Sequence, residues 1–285
     1  MPTISIILPA KNEAKALSSL LPRIAELNPE SEIIVTSDGS TDNSADIAES
    51  LGSKVLRHPY SKGNGAAVKT GARAAIGDIF VFMDADGQHL PEDIQRLLDK
   101  LNEGYDMVVG ARSRQSQAGL HRATANGLYN RLSSWMVGHT IEDLTSGFRA
   151  VRADKFRQFL YLLPNGFSYP TTITMSFFRA GYSVAYVPIH APKRIGKSHI
   201  RLFKDGARFL LIIFKIGSLY SPLKLFAPIS LAFFTTGLGY YVYTYLTMHR
   251  FTNMSALLFI SAVMVFLIGL VSEQITALMY KDSEG

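Results

Sequence analysis

Ile79-Phe80-Val81-Phe82-Met83-Asp84-Ala85-Asp86-Gly87-Gln88 is the stretch whose reading decides the fold. Five consecutive apolar residues, bounded by Gly77-Asp78 and Gly87, read as a strand buried on both faces, as at the centre of a parallel sheet. The chain then turns abruptly acidic. Asp84 and Asp86 are two residues apart, so extended backbone continuing past Met83 aims both carboxylates the same way, at the carboxyl end of the strand. Open α/β sheets bind ligands at that end. Two hard oxygen donors in one crevice repel each other unless a cation joins them, and Mg²⁺ or Mn²⁺ carried in with a diphosphate is the natural one. Taken alone, Asp-Ala-Asp-Gly also fits a polar turn ahead of a helix starting at Pro91.

The flanking sequence favours the ligand-binding reading. Thr3 to Pro9 reads as a strand and Lys15 to Leu27 as a helix, with apolar positions at Leu17, Leu20, Leu21, Ile24 and Leu27. Glu32 to Asp38 is a second strand. Gly39-Ser40-Thr41-Asp42 turns into a helix from Asp42 to Leu51, with Ser40 or Thr41 as its cap. A short strand at Lys54 to Arg57 precedes a helix from Gly63 to Ala75. After the central strand come a helix from Pro91 to Asn102 and a strand at Met107 to Gly110. This alternation predicts an α/β fold with a doubly wound, parallel sheet. Three polar clusters then fall at strand ends: Pro9 with Asn12 and Glu13, Asp38 with Gly39, and Asp84 with Asp86. Carboxylates there can accept hydrogen bonds from ribose or base and hold a metal. Gly63-Asn64-Gly65-Ala66-Ala67-Val68 begins like a dinucleotide fingerprint, but valine stands at the third glycine position and no long apolar strand leads into it.

Length and charge distribution add a second feature. With 285 residues the chain can form one ordinary domain and something smaller. Leu225 to Met248 and Asn253 to Ser272 contain no charged residue, and each is long enough to cross a bilayer core of about 30 Å. The short connection between them makes a hairpin. Between His199 and Gly217, Arg201, Lys204, Arg208 and Lys215 fall on one helical face, with Leu202, Phe203, Phe209, Leu210, Ile213 and Phe214 opposite. That pattern predicts an interfacial helix whose cations attract anionic headgroups. These charges, with Lys281 beyond the second span, predict that both ends face the cytoplasm, although Arg250 in the connection opposes the bias slightly. Met1 runs into a strand with no cationic leader, so the first 200 or so residues are expected there too. Cysteine is absent, which excludes disulfides and thiolate metal sites. The formal charge of +6 is modest, and no nucleic-acid partner is expected.

Pro9-Ala10-Lys11-Asn12-Glu13, Asp38-Gly39-Ser40-Thr41-Asp42, Asp84-Ala85-Asp86-Gly87-Gln88, Gly110-Ala111-Arg112 and Thr145-Ser146-Gly147-Phe148-Arg149 occur in one order. In that order they resemble the polyprenyl-phosphate glycosyltransferases, such as dolichol-phosphate mannose synthase. The resemblance spans roughly residues 3 to 200. It implies a type-A glycosyltransferase (GT-A) fold with a mostly parallel, Rossmann-like sheet, inverting chemistry, a nucleotide-diphosphate sugar donor and a polyprenyl-phosphate acceptor.

It also implies roles for residues. Pro9, Lys11, Glu13 and Asp38 would meet the nucleoside, Lys11 standing where aromatic residues are frequent in the family. Asp84, Ala85 and Asp86 would meet the ribose and diphosphate, Asp84 and Asp86 would hold the metal, and Gln88 would complete the metal or sugar side. Arg112, Arg122 and Asn126 would hold the acceptor phosphate, Asn126 replacing a serine seen in some members. Lys193-Arg194-Ile195-Gly196-Lys197-Ser198-His199 resembles the family's basic loop, in which either Lys193 or Arg194 is the phosphate ligand alongside Lys197. The catalytic set is then Asp86, Arg112 and Asp143. Asp143 sits where sugar-hydroxyl transferases keep a base, but an ionised phosphate needs none, so it is expected to position the donor or a loop. His121 and His139 read as surface residues.

The expected domains are a cytoplasmic catalytic domain at 1–198, an interfacial helix at 199–222 and a hairpin at 223–285 with spans at about 225–248 and 253–279. Processive polysaccharide synthesis is disfavoured because Gln-x-x-Arg-Trp is absent: the only tryptophan, Trp135, follows Ser134. A sugar nucleotidyltransferase has no reason to carry a hairpin, and a scaffold with a dead pocket would not need both Asp84 and Asp86. Sugar, base and carrier stay open, as does a homo-oligomer, for which Gly237 and Gly239 offer close helix approach.

Overall fold

The computed structural model describes residues 2–112, 120–166, 169–190, 217–218 and 220–281; side chains at 120–126, 128, 280 and 281 are outside that description. The chain divides into two compact units, Met1–His199 and Ile200–Gly285.

The first unit is built on a seven-stranded sheet in the order β3-β2-β1-β4-β6-β5-β7. Its strands are β1 (Ile4–Ala10), β2 (Glu32–Asp38), β3 (Lys54–His58), β4 (Ile79–Phe82), β5 (Met107–Arg112), β6 (Arg149–Arg152) and β7 (Val184–Ile189). Its helices are α1 (Ala14–Leu27), α2 (Ser44–Ser50), α3 (Asn64–Ala74), α4 (Asp93–Asn102), α5 (Leu120–Val137), α6 (Ala153–Arg157) and α7 (Tyr169–Arg179). β1 lies between β2 and β4, parallel to both, with Ile6 opposite Ile33 on one side and Val81 on the other. The chain leaves β1 in one direction and returns through β3 and α3 to the other, so a topological switch point falls between β1 and β4.

Every residue of β4 is buried, because helices cover both faces of the sheet. On one face Ile6, Leu8, Val35, Ile79 and Val81 pack with Leu17, Leu21 and Ile24 of α1 and Ile94, Leu97 and Leu101 of α4. On the other, Phe80 and Phe82 meet Phe156, the closest rings having centroids 4.6 Å apart. Full burial of each such side chain stabilises the fold by about 1.5 to 3 kcal/mol.

The structure departs from the sequence reading at defined places. The sheet is mixed: β6 runs antiparallel between β4 and β5. Helix α4 begins at Asp93, since Pro91 falls in the preceding turn. Neither Ser40 nor Thr41 caps α2. The Asp42 carboxylate accepts the Ser44 N–H at 3.1 Å, while Ser40 Oγ and the Thr41 N–H serve Asn12 instead. Asn12 has φ 56°, a left-handed conformation that asparagine tolerates, and it ties the loop after β1 to the loop after β2.

The second unit contains α8 (Pro222–Met248) and α9 (Asn253–Lys281), two helices long and apolar enough to cross a membrane. Small residues at seven-residue spacing form their seam: Ser230, Gly237 and Thr244 face Ser255, Ala262, Gly269 and Thr276, all of them buried. A Cβ at Gly237 would meet Leu258 at 3.0 Å, and one at Gly269 would meet Phe226 at 2.7 Å. Gly237 therefore serves packing within the hairpin, whereas a Cβ at Gly239 would meet nothing within 4 Å. Large apolar side chains such as Leu231, Leu246, Leu257 and Leu278 stay exposed all round, as lipid contact requires. Tyr240, Tyr243 and Tyr245 are exposed near the connection, where an aromatic belt would meet the interface.

Candidate active site

The loops after β1, β2 and β4 enclose a cleft of about 480 Å³ lined by Pro9, Lys11, Glu13, Asp38, Asp84, Ala85 and Asp86, all expected from the sequence. Ser61, Gly63, Asn64 and Ala67, which were not expected, line it too. The volume suits a ligand of cofactor size. Extended backbone stops at Phe82, and Gly87, at φ 76°, completes a turn through Asp86. The two aspartates thus reach one cleft from a turn rather than by strand alternation. The Gln88 N–H donates to Asp86 Oδ1 at 3.1 Å, so Gln88 supports the turn through its backbone.

Asp38 arrives with its oxygens engaged. Oδ1 accepts from His58 Nδ1 at 2.8 Å and the Lys62 N–H at 2.7 Å, and Oδ2 from Ser61 Oγ at 2.8 Å and the Gly63 N–H at 2.9 Å. Four acceptances fill a carboxylate's usual sites. Burial pushes its pKa up, but the bonds from His58, Lys62, Ser61 and Gly63 outweigh that and hold it below the ordinary carboxylate value. Asp38 therefore shapes the cleft by fixing residues 61–63, and Lys11 Nζ reaches over to Ser61 Oγ at 3.0 Å.

Glycines at 63 and 65 have a packing cause. A Cβ at Gly65 would lie 2.0 Å from the Pro164 carbonyl oxygen, and one at Gly63 2.5 Å from that of Asn165. The Ala66 N–H donates to Asn165 O at 2.8 Å. This close approach, rather than a pyrophosphate turn, accounts for the partial fingerprint.

At the end of β5, Arg112 pairs with Asp143 through Nε to Oδ2 at 2.8 Å and Nη2 to Oδ1 at 3.0 Å, and Nη2 also reaches Thr145 Oγ1 at 2.7 Å. The Thr145 N–H and hydroxyl both donate to Asp143 Oδ1 at 3.1 Å. Burial raises the Asp143 pKa, yet the hydrogen bonds and charge of Arg112 hold it below the ordinary carboxylate range. Asp143 is thus a fixed anion with its lone pairs spoken for, unsuited to proton abstraction. Among the described residues nothing engages Arg112 Nη1, which leaves two N–H groups for an anionic ligand.

His89 is a residue the sequence reading missed. It is buried, its ring stacks on Phe148 at 4.9 Å, and Nδ1 accepts the Asp84 N–H at 3.3 Å. Burial lowers its pKa to about 4, so it is neutral and can accept that bond at neutral pH. Its adjacency to the acidic turn was the one available signal.

Arg122 and Asn126 lie one turn apart on α5, but their side chains are not among those described. Lys193, Arg194 and Lys197 fall outside the described residues, as do most of 199–222. His139 is exposed and stacks on Phe178 at 5.2 Å.

Residues 5–160 match glycosyl transferase family 2, and residues 221–278 match the GtrB C-terminal hairpin. The chain is 30% identical over 216 residues to the dolichyl-phosphate hexose transferase of Haloferax volcanii, covering 75% of this chain and 93% of that protein. It is 31% identical over 210 residues to the undecaprenyl-phosphate mannosyltransferase of Micrococcus luteus, covering 67% and 85%. Glucosyl-3-phosphoglycerate synthase from Mycobacterium tuberculosis, solved with Mn²⁺, uridine diphosphate and glucosyl-3-phosphoglycerate, superposes with TM-score 0.62 at 25% identity, covering 76% of this chain and 79% of that one. The GT-A sheet, the acidic cleft at its switch point and these matches converge: the chain belongs to glycosyl transferase family 2 and ends in a hairpin of the GtrB type.

Proposed function

We propose that the protein transfers a sugar from a UDP- or GDP-sugar to a polyprenyl phosphate, dolichyl or undecaprenyl, by inverting single displacement, giving a polyprenyl-phosphate monosaccharide. The observation that carries this reading is one chain combining a cleft lined by Asp84 and Asp86 with two apolar helices able to hold it at a lipid surface. Relatives named for dolichyl- and undecaprenyl-phosphate support the acceptor. The neighbour solved with uridine diphosphate and Mn²⁺ supports the donor and metal.

In this reading Pro9, Lys11, Glu13 and the Asp38-held loop receive the nucleoside, and Asp84, Ala85 and Asp86 the ribose and diphosphate. Among the described residues no group of three carboxylates and imidazoles stands together. The protein then supplies part of a coordination shell, as suits an ion held by one or two carboxylates and substrate phosphates. Asp84 and Asp86, with Gln88 beside them, are the fitting donors for Mg²⁺ or Mn²⁺. Bound there, the ion would act as a Lewis acid on the departing diphosphate. Arg112 presents Nη1 to the acceptor phosphate, with Arg122, Asn126, Lys197 and either Lys193 or Arg194 as further ligands. A phosphate whose second pKa is about 6 is already nucleophilic at neutral pH. This agrees with an Asp143 locked to Arg112. We assign residues 1–198 to a catalytic domain on the cytoplasmic face, 199–222 to an interfacial helix and 223–285 to a membrane hairpin.

Asp86→Ala tests the assignment, because it deletes a cleft carboxylate rather than core volume. The variant is expected to fold normally, lose transfer and lose Mn²⁺-dependent binding of nucleoside diphosphate in a calorimetric titration. Wild-type metal dependence in that variant would contradict the role given to Asp86.

A further inference from the structure

Arg149 is completely buried, and its described hydrogen-bond partners are all uncharged. Nη2 donates to the Ser146 carbonyl oxygen, and Nη1 to Pro170 O and Thr174 Oγ1, each at 3.2 Å. Among the described residues no partner meets Nε. A desolvated guanidinium without a hydrogen-bonded carboxylate is costly, so a fold that keeps one gains something from its charge or its geometry. The carboxylates whose field reaches it are Asp143 and Asp84.

The geometry leads to Asp84. A Cβ at Gly147 would lie 2.6 Å from Asp84 Oδ2 and 3.0 Å from Oδ1, so the Gly147 backbone packs directly on that carboxylate. Its φ is not positive, so contact and not conformation demands glycine there. The Tyr169 hydroxyl donates to Gly147 O at 3.2 Å and, with Arg149, fixes the segment from below. The next residue, Phe148, stacks on His89, whose Nδ1 accepts the Asp84 N–H. Residues 146–149 therefore hold Asp84 twice, at its carboxylate through Gly147 and at its backbone through Phe148 and His89.

We propose that Ser146-Gly147-Phe148-Arg149 is a cradle that positions Asp84 for the metal and diphosphate, with Arg149 as its buried anchor and countercharge. Arg149 is a positioning residue, acting through Gly147 and never touching substrate. The inference rests on the donor-site reading above, and it extends to this segment a role that the cleft lining alone does not assign.

The test measures Mn²⁺ binding by titration calorimetry in the presence of saturating UDP, and of GDP in parallel, using the full chain in detergent. Gly147→Ala is expected to weaken Mn²⁺ binding by about tenfold or more, as loss of support behind a metal ligand does. Its melting temperature should stay near the wild-type value, donor KM should rise, and KM for the acceptor should not change. Arg149→Lys should weaken Mn²⁺ binding in the same way. Tyr169→Phe keeps the ring and removes only the hydroxyl's bond to Gly147. It should show a smaller loss, about two- to threefold, and it keeps the test decidable if the other variants do not fold. Folded variants that bind Mn²⁺ as the wild type does would overturn the cradle while leaving the donor site standing. A wild-type protein that binds Mn²⁺ with neither nucleotide would overturn the donor-site reading and the cradle with it.

Discussion

Asp143 and Arg112 show how charge state fixes what a residue can do. The Asp143 side chain is 3% exposed and that of Arg112 27%, so the pair is shielded on one side and partly hydrated on the other. Asp143→Asn is expected to cost about 1 to 3 kcal/mol at neutral pH, less than a wholly buried pair because Arg112 retains water. The sign of its pH dependence follows from the depressed Asp143 value. A carboxylate whose folded pKa lies below its unfolded value of about 3.9 contributes fully above that pH and loses the contribution as pH falls through the folded value. Urea unfolding of wild type and variant should therefore show a gap that is constant from neutrality to about pH 5 and closes below about pH 4. A gap that widens in acid would mean that Asp143 is not held ionised by Arg112. Arg112 was legible in sequence from the motif after β5, but its bidentate partner was not, because 31 residues separate the two. Likewise His58 and Asp38 are 20 residues apart, and only the register of β2 with β3 brings them together.

At the scale of elements, long apolar runs were legible and their surroundings were not. β1, β2 and β4 declare themselves through continuous burial, and α4 through Ile94, Leu97, Leu98 and Leu101 on one face. β6 does not: two of its four residues are arginines, and its antiparallel placement between β4 and β5 follows from long-range pairing. The start of α2 differs from the sequence reading because Ser40 and Thr41, good caps by type, are drawn off by Asn12; Asn43 stands at the N-cap without a side-chain cap bond, and the Asp42 carboxylate accepts the Ser44 N–H. Gly63 and Gly65 were noticed for the wrong reason, since the cause lies a hundred residues away at 164–165. Gly65→Ala tests that cause. With a carbonyl oxygen 2.0 Å from the new Cβ, backbone must move, and overpacking of this kind costs about 1 to 3 kcal/mol. The variant should melt lower and lose amide protection at Ala66, whose N–H bonds Asn165. Wild-type stability and protection would show that the 164–166 segment does not pack on α3 in solution.

For the whole molecule, the proposed function places chemistry and attachment in different parts of the chain. Every described carboxylate of the cleft precedes residue 199, whereas α8 and α9 carry none until Glu273, whose Oε2 accepts the Leu223 N–H at 3.2 Å near the start of α8. That carboxylate sits at a helix N-terminus, where the dipole favours it, so it serves the hairpin. Truncation after Gly217 is expected to leave nucleotide-sugar binding intact and to reduce transfer to long polyprenyl phosphate in vesicles steeply, since membrane attachment sets the local acceptor concentration. A short, water-soluble prenyl phosphate should be used nearly as well as by the full chain. Equal loss with both acceptors in a folded truncate would mean that the spans shape the active site.

The central claim is that an ionised lipid phosphate, held by cations and needing no general base, attacks the sugar of a metal-bound nucleotide donor. Its most direct test offers the full-length protein Mn²⁺, labelled UDP- and GDP-sugars, and either a polyprenyl phosphate or the matching dephosphorylated polyprenol. Label should enter the organic phase with the phosphate and not with the alcohol, and the sugar should be attached with its anomeric configuration inverted. Label transferred to the alcohol, or recovered only in the aqueous phase whichever donor is supplied, would contradict the account.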